Sequence, residues 1–200
     1  MPRFSDFDFG VTEVMGLFHQ DWIHDGDTAA DVVAGHLAQS PDEQALAVRR
    51  DARSLGALPS AALEVLWDAG AQYMPAFRLV GGGAEWTRTV AGLCEARLSA
   101  AGNVRPLTGA DTEDGAACLD AVVAEIEETR FLDAEVRAAL TECASRSTPD
   151  VAFRVLLRAI RCAPAASLSP ERYTRLEAIG SALHYGEYVV DDVRYLVEQD

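Results

Sequence analysis

Residues 16–27, GLFHQDWIHDGD, crowd His19, His24, Asp21, Asp25 and Asp27 around Trp22. Imidazoles and carboxylates at this density are the raw material of a metal site or of acid–base catalysis. Their spacing argues against both. His19 and His24 stand five positions apart, whereas two imidazoles share a helical face at i and i+4, and there is no His-Glu-x-x-His. His36 lies a helix further on. Asp21, Asp25, Asp27 and Asp31 miss the register of a calcium loop, which needs alternating oxygen ligands, a central glycine and a closing glutamate. The expectation is therefore no metal, no cofactor and no catalytic residue. The rival is a metal-assisted hydrolase built on His19, His24 and the neighbouring aspartates.

Other groups offer less. No serine sits in Gly-x-Ser-x-Gly. Cys94, Cys118, Cys143 and Cys162 are scattered without a Cys-x-x-Cys pair, and three of them fall on apolar helical faces, as small buried hydrophobes do. Glu127 and Glu128, like Asp191 and Asp192, are adjacent on helices and point apart, which suits solvated faces. GGGAE at 81–85 lacks the Lys-Ser/Thr and the preceding strand of a phosphate-binding loop, so it reads as a turn into a helix. What survives is a concentrated acidic and aromatic segment, the pattern of a protein-binding face in which an aromatic anchors and acids select a basic partner. The candidate contact residues are Asp21, Trp22, Asp25, Asp27 and Asp31. Trp22 fits the core equally well from periodicity alone.

Charge narrows the partner. The 200-residue chain carries 32 acidic and 17 basic residues, a formal net charge of -15, and every basic residue is arginine. Nucleic-acid binding depends on cations that neutralise phosphates, and an anionic lipid surface repels such a chain, so neither is expected as partner. A basic protein is attracted, mainly through its rate of encounter. No apolar run approaches the roughly 20 residues of a membrane helix; the greasiest, VAFRVLLRAIRCA, is interrupted by Arg154, Arg158 and Arg161. The opening MPRFSDFDFG has acids where a secretory signal has a basic head and an apolar core, which reads as a cytoplasmic protein.

The elements that must position these residues are helical almost throughout. Thr28 with Asp31 forms a capping box before Ala29, Val32, Val33, His36 and Leu37. SPDE at 40–43 pairs a capping serine with a first-turn proline and a capping-box glutamate, opening a helix with Ala45, Val48, Ala52 and Leu55 inward and Gly56 at its end. Another follows Pro59, with Leu63, Leu66 and Trp67 inward, and Gly70 stops it. A loop leads to a helix from about Ala84 bearing Trp86, Val90, Leu93, Cys94 and Leu98, and short strands near Phe77 to Val80 are a weaker alternative within that loop. Leu119, Val122, Val123 and Ile126 repeat the spacing, as do Val136, Ala139, Leu140 and Cys143, and Phe153, Leu156, Leu157 and Ile160. Thr148 and Ser169, each followed by proline, open two of the later helices, and a last one follows Gly186 through Val197. This predicts an all-α fold of nine or ten short helices in two halves packed together, residues 1–100 and 114–200, joined by a Gly-, Pro- and Thr-rich linker at about 101–113.

LFHQDW at 17–22, DGDTAADVVAGHL at 25–37, SPDEQALAVRRDARSL at 40–55 and GGGAEWTRTVAGLCEARL at 81–98 together resemble the immunity proteins of bacterial contact-dependent growth inhibition systems. The likeness covers about residues 9–98. It rests on His19, Gln20, Asp21 and Trp22, on Asp27 and Thr28, and on Trp86 at the start of the closing helix. An acid commonly follows the Asp-Trp pair directly in that family; here Ile23 and His24 intervene before Asp25. The resemblance implies a small helical protein that binds and neutralises the toxic C-terminal domain of a polymorphic effector without catalysis, and the chain's acidity favours a basic toxin such as a nuclease. Residues 114–200 lie outside it and read as a second small helical immunity module or as an extension that widens the binding face. A generic helical adaptor is a further alternative.

Overall fold

In a computed structural model that describes residues 2–198, the chain begins its regular structure at a position no amphipathic pattern marks. Helix α1 (Gly10–Gly16) is only seven residues long, and most of its side chains are buried. It follows that the helical stripe by which a surface helix is recognised is missing. Next come α2 (Ala29–Gln39), α3 (Asp42–Leu55), α4 (Ser60–Gly70) and the long α5 (Gly83–Ala101). The remainder of the chain supplies α6 (Leu119–Glu128), α7 (Ala134–Arg146), α8 (Pro149–Cys162), α9 (Pro170–Ala182) and the short α10 (Glu187–Asp191). Ten α-helices and several 3-10 turns make up the described residues, with no strand beyond an isolated bridge between Leu168 and Val197. The protein is all-α.

Side-chain caps mark three of the ten starts. The Thr28 hydroxyl accepts from Asp31 N at 3.2 Å, Thr148 accepts from Val151 N at 3.1 Å, and Ser169 accepts from Arg172 N at 3.2 Å. Each satisfies one of the orphan amides of a first turn. Ser40 departs from expectation. Residue 41 takes the N-cap position of α3, while the Ser40 hydroxyl turns back and donates to His36 O at 2.9 Å. With only two residues between α2 and α3, that hydroxyl serves the carbonyl end of the earlier helix. Two further expectations change: Phe77–Leu79 is a 3-10 turn, not a strand, and the last helix stops at Asp191. Beyond it the chain turns at Arg194–Leu196, where Leu168 N donates to Leu196 O at 3.0 Å and Glu198 N to Leu168 O at 2.9 Å, drawing the backbone away from a helical path.

Packing places α5 against α2, α3 and α4, and α1 between α3 and α8. Helix α4 also faces α7 and α8. One continuous cluster of buried side chains therefore runs from Val11, Met15, Leu66 and Trp67 to Leu140, Phe153, Leu156 and Ile160. Helix α8 is the central element: nearly every residue of its VAFRVLLRAI stretch is buried, Arg154 included, and it is enclosed by α1, α4, α6 and α7. Residues 101–113 lie against the fold, with Ala110 buried, and Asp111 accepting from Phe4 N at 2.9 Å. A second brace ties α6 to α9, where buried Glu125 accepts from Arg172 Nε at 3.2 Å and from Arg175 Nε at 2.5 Å.

Candidate functional site

The segment after α1 is held by aromatic stacking. Phe18 is buried and meets Trp22 edge-on at 5.5 Å and Trp86 at 5.8 Å, and Trp86 meets Trp67 at 5.7 Å. Such edge-to-face pairs fix ring orientation as well as burying area. Between these rings the chain makes a 3-10 turn at Trp22–His24, with Trp22 N donating to His19 O at 3.1 Å and Asp25 N to Trp22 O at 2.9 Å. Trp22 is thus half-buried, neither wholly core nor wholly surface. Its neighbour Ile23 is 63% exposed.

Asp21, Asp25, Asp27 and Asp31 are all exposed. Asp25 sits 3.1 Å from His19 Nε2, and Asp31 accepts from the Thr28 hydroxyl at 2.7 Å. Asp21 and Asp27 have no ion-pair partner among the described residues. The other histidines go elsewhere: His36 Nε2 lies 2.9 Å from Glu13 Oε1, and His24 is exposed without an acidic partner among the described residues. His19, His24 and the aspartates are not gathered into a ligand set. Among the described residues no three His, Cys, Asp or Glu side chains are arranged to hold a metal ion.

The loop between α4 and α5 completes this face. Tyr73 N donates to Phe18 O at 2.9 Å, bringing Pro75, Leu79 and Val80 over Trp22. A cavity of about 330 Å³ opens there, lined by Trp22, Asp27, Thr28, Leu79, Val80 and Trp86 among others. Leu79 is 71% exposed at its mouth. Of the residues expected at a contact, the structure brings Trp22 and Asp27 into the cavity and leaves Asp21, Asp25 and Asp31 on the surface nearby. The glycine run at 81–83 turns the chain into α5, with Gly81 and Gly82 at φ of 80° and 93°, where L side chains are strained. Gly83 N donates to Glu64 Oε1 at 3.0 Å and Ala84 N to Ser60 Oγ at 3.1 Å. A carboxylate and a hydroxyl of α4 already occupy the amides that a phosphate would need.

Sequence reasoning missed a second concentration of titratable groups. Arg154, fully buried in α8, donates to Asp51 Oδ2 at 2.8 Å, Asp150 Oδ2 at 3.0 Å, Thr12 Oγ1 at 3.0 Å and Phe9 O at 2.6 Å. Arg3 lies 3.1 Å from Asp150 Oδ1 and donates to Leu183 O at 2.9 Å. Arg50 joins Asp51 at 2.7 Å and Asp150 at 3.2 Å, and Tyr185 donates its hydroxyl to Asp150 Oδ1 at 2.8 Å. The Arg154 guanidinium also stacks over the Phe9 ring, 4.3 Å from its centroid. Burial pushes the Asp150 carboxyl up, but Arg154, Arg3 and Arg50 beside it more than offset that and hold it below the ordinary aspartate range. Burial, with Asp150 alongside, keeps the Tyr185 hydroxyl protonated far above its usual range.

Perturbed groups of this kind mark active sites as a rule, provided a substrate can reach them. Here it cannot. The void beside Arg154 measures about 10 Å³, room for roughly one water molecule. The cluster is a brace between the N-terminal segment, α3 and α8. Part of its signal was present in the sequence: Arg154, Arg158 and Arg161 recur at i, i+4 and i+7 on one side of a largely apolar helix, and an arginine that such a helix carries into the core needs carboxylate partners. Burial also raises the thiols of Cys94 and Cys143 to about 12, and pushes those of Cys118 and Cys162 upward.

Compared with protein-family models, curated proteins and solved structures, the chain matches none.

Proposed function

We propose that this chain is an immunity protein that binds the toxic C-terminal domain of a contact-dependent or other polymorphic bacterial effector and neutralises it stoichiometrically in the cytoplasm, without chemistry of its own. The observation that carries the reading is the face around Trp22, where exposed Asp27 lines a cavity walled by Trp22, Leu79 and Val80, and exposed Asp21 and Asp25 flank Trp22 in the chain. Aromatic and aliphatic anchors inside an acidic rim are what a basic protein partner requires. The resemblance of residues 9–98 to the immunity family supports the same conclusion. A strongly anionic surface speeds encounter with a basic toxin such as a nuclease and disfavours nucleic acid as a competitor.

The test is co-expression with the toxin domain encoded beside it, scored for growth rescue and for co-purification. Rescue with a one-to-one complex is expected. Its association rate should fall as salt is raised from about 0.05 to 0.5 M, since exposed charges are screened beyond a Debye length of about 10 Å at 0.1 M. Growth arrest despite full expression of the soluble protein would overturn the reading.

A further inference from the structure

We infer that the cavity between Trp22, Pro75, Leu79, Val80 and Trp86 receives a single apolar side chain from a basic segment of the partner, a leucine-type residue flanked by arginine or lysine. The inference rests on the reading that the protein acts by binding, and it specifies the chemistry that the site selects.

The exposed large hydrophobic side chains of the described residues fall into two groups. Phe7, Tyr188 and Tyr195 share one face, where Phe7 stacks on Tyr188 at 4.8 Å and Arg161 is already paired with Asp192 at 2.6 Å. Acids and arginines interleave there, so that face favours no sign of charge. Ile23, Tyr73 and Leu79 belong to the turn and the loop that enclose the Trp22 cavity. This second group is predominantly acidic. Asp27 is in the lining and Asp21 and Asp25 are in the adjoining turn, whereas the cations nearest in the chain are Arg78 and Arg88, the latter paired with Glu85 at 2.6 Å.

A cavity of about 330 Å³ has ample room for a leucine-type side chain. Its indole and aliphatic walls offer dispersion contacts to an apolar group, and Asp27 with the flanking aspartates offers pairing to cations on either side of it. Asp21 and Asp27 have no ion-pair partner among the described residues, so a cation arriving there displaces no existing pair.

The experiment uses the full chain labelled with ¹⁵N and the peptide acetyl-Arg-Arg-Leu-Arg-Arg-amide as probe. The same peptide with serine for leucine, and one with glutamate for every arginine, serve as comparisons. Saturable shifts of the Trp22 indole and of the Val80 and Thr89 amides are expected with the leucine peptide. The serine peptide should bind roughly tenfold more weakly, as burial of one leucine side chain implies, and the acidic peptide should leave the spectrum unchanged. Leu79→Ser and Asp27→Asn, both on exposed positions, should each weaken the leucine peptide severalfold while the rest of the spectrum stays that of the folded chain. Equal binding of leucine and serine peptides, shifts confined to another face, or no binding would overturn the assignment. A chain that rescues cells yet ignores the leucine peptide loses this inference and keeps its proposed function. One that binds the peptide as described but gives no rescue keeps the pocket and loses the immunity reading.

Discussion

Replacing Arg154 with leucine tests whether the buried ionic cluster is the brace described above. The substitution removes donors to Asp51, Asp150, Thr12 and Phe9 at once, at 2.6–3.0 Å. Asp51 keeps Arg50 and the Val11 amide, and Asp150 keeps Arg3 and Arg50, so both carboxylates stay buried with less compensation. Breaking a buried pair from one side costs about 3–5 kcal/mol, a large share of the roughly 5–15 kcal/mol that holds a domain folded. At about 2–4 °C per kcal/mol for a chain of this size, Tm should fall by roughly 6–20 °C. Urea unfolding followed by circular dichroism at pH 7 gives the free energy directly, and the midpoint should fall with the slope unchanged. Arg161→Ala is the control, because its pair with Asp192 is exposed and worth under about 1 kcal/mol. If Arg154→Leu costs no more than Arg161→Ala, the assignment of the cluster as a buried ionic brace is refuted.

Four further outcomes follow from the structure. Burial raises the Asp8 carboxyl above its ordinary range despite Arg154, Thr12 and Arg158 nearby, so the folded chain holds that proton more tightly than the unfolded one, and Asp8 costs stability once pH exceeds its folded value. Asp8→Asn should therefore stabilise the protein at pH 7, and the gain should vanish in unfolding curves as pH falls to about 4, the aspartate value in the unfolded chain. Asp150 has the opposite sign: its lowered value gives stability present above about pH 4 and lost as pH falls through it, which Asp150→Asn should abolish from the acid limb of a pH–stability profile. Thr28→Ala should cost about 1 kcal/mol in urea unfolding by removing the cap of α2, and amide exchange should quicken at Ala30 and Asp31. Gly10→Ala should yield little soluble protein, because φ is 65° and the added methyl overlaps Asp51 Oδ2; expression at parental level would contradict this.

Local rules made much of the fold legible. Thr28, Thr148 and Ser169 announce helix starts because a hydroxyl meets its amide three residues on, whatever the rest of the chain does. The seven-residue α1 carries no such mark: buried on most sides, it owes its helicity to α3 and α8. Ser40 misleads because its hydroxyl had two helices to serve and took the nearer carbonyl. At the candidate site, the exposure of Asp25, Asp27 and Asp31 was readable from the sequence, whereas that of Asp21, beside Trp22, was not. The cavity was not, since it forms only when residues 73–80 fold over Trp22. Arg154 looked like an interruption in an apolar run; its meaning lay in Asp51, far away in the chain.

That separation has a consequence for the birth of the protein. Asp51 precedes Arg154 by 103 positions, and Arg3 precedes Leu183 by 180. At about 5–20 residues per second, a ribosome presents Asp51 roughly 5–20 s before Arg154 exists, and Arg3 waits roughly 9–36 s for Leu183. Until α8 emerges, Asp51 has Arg50 as its arginine partner, and the Gly10 and Val11 backbone cannot close over the finished cluster. Arg3 and the segment through Val11 are thus synthesised well before they are seated, and cell factors that shelter nascent chains have that interval in which to act.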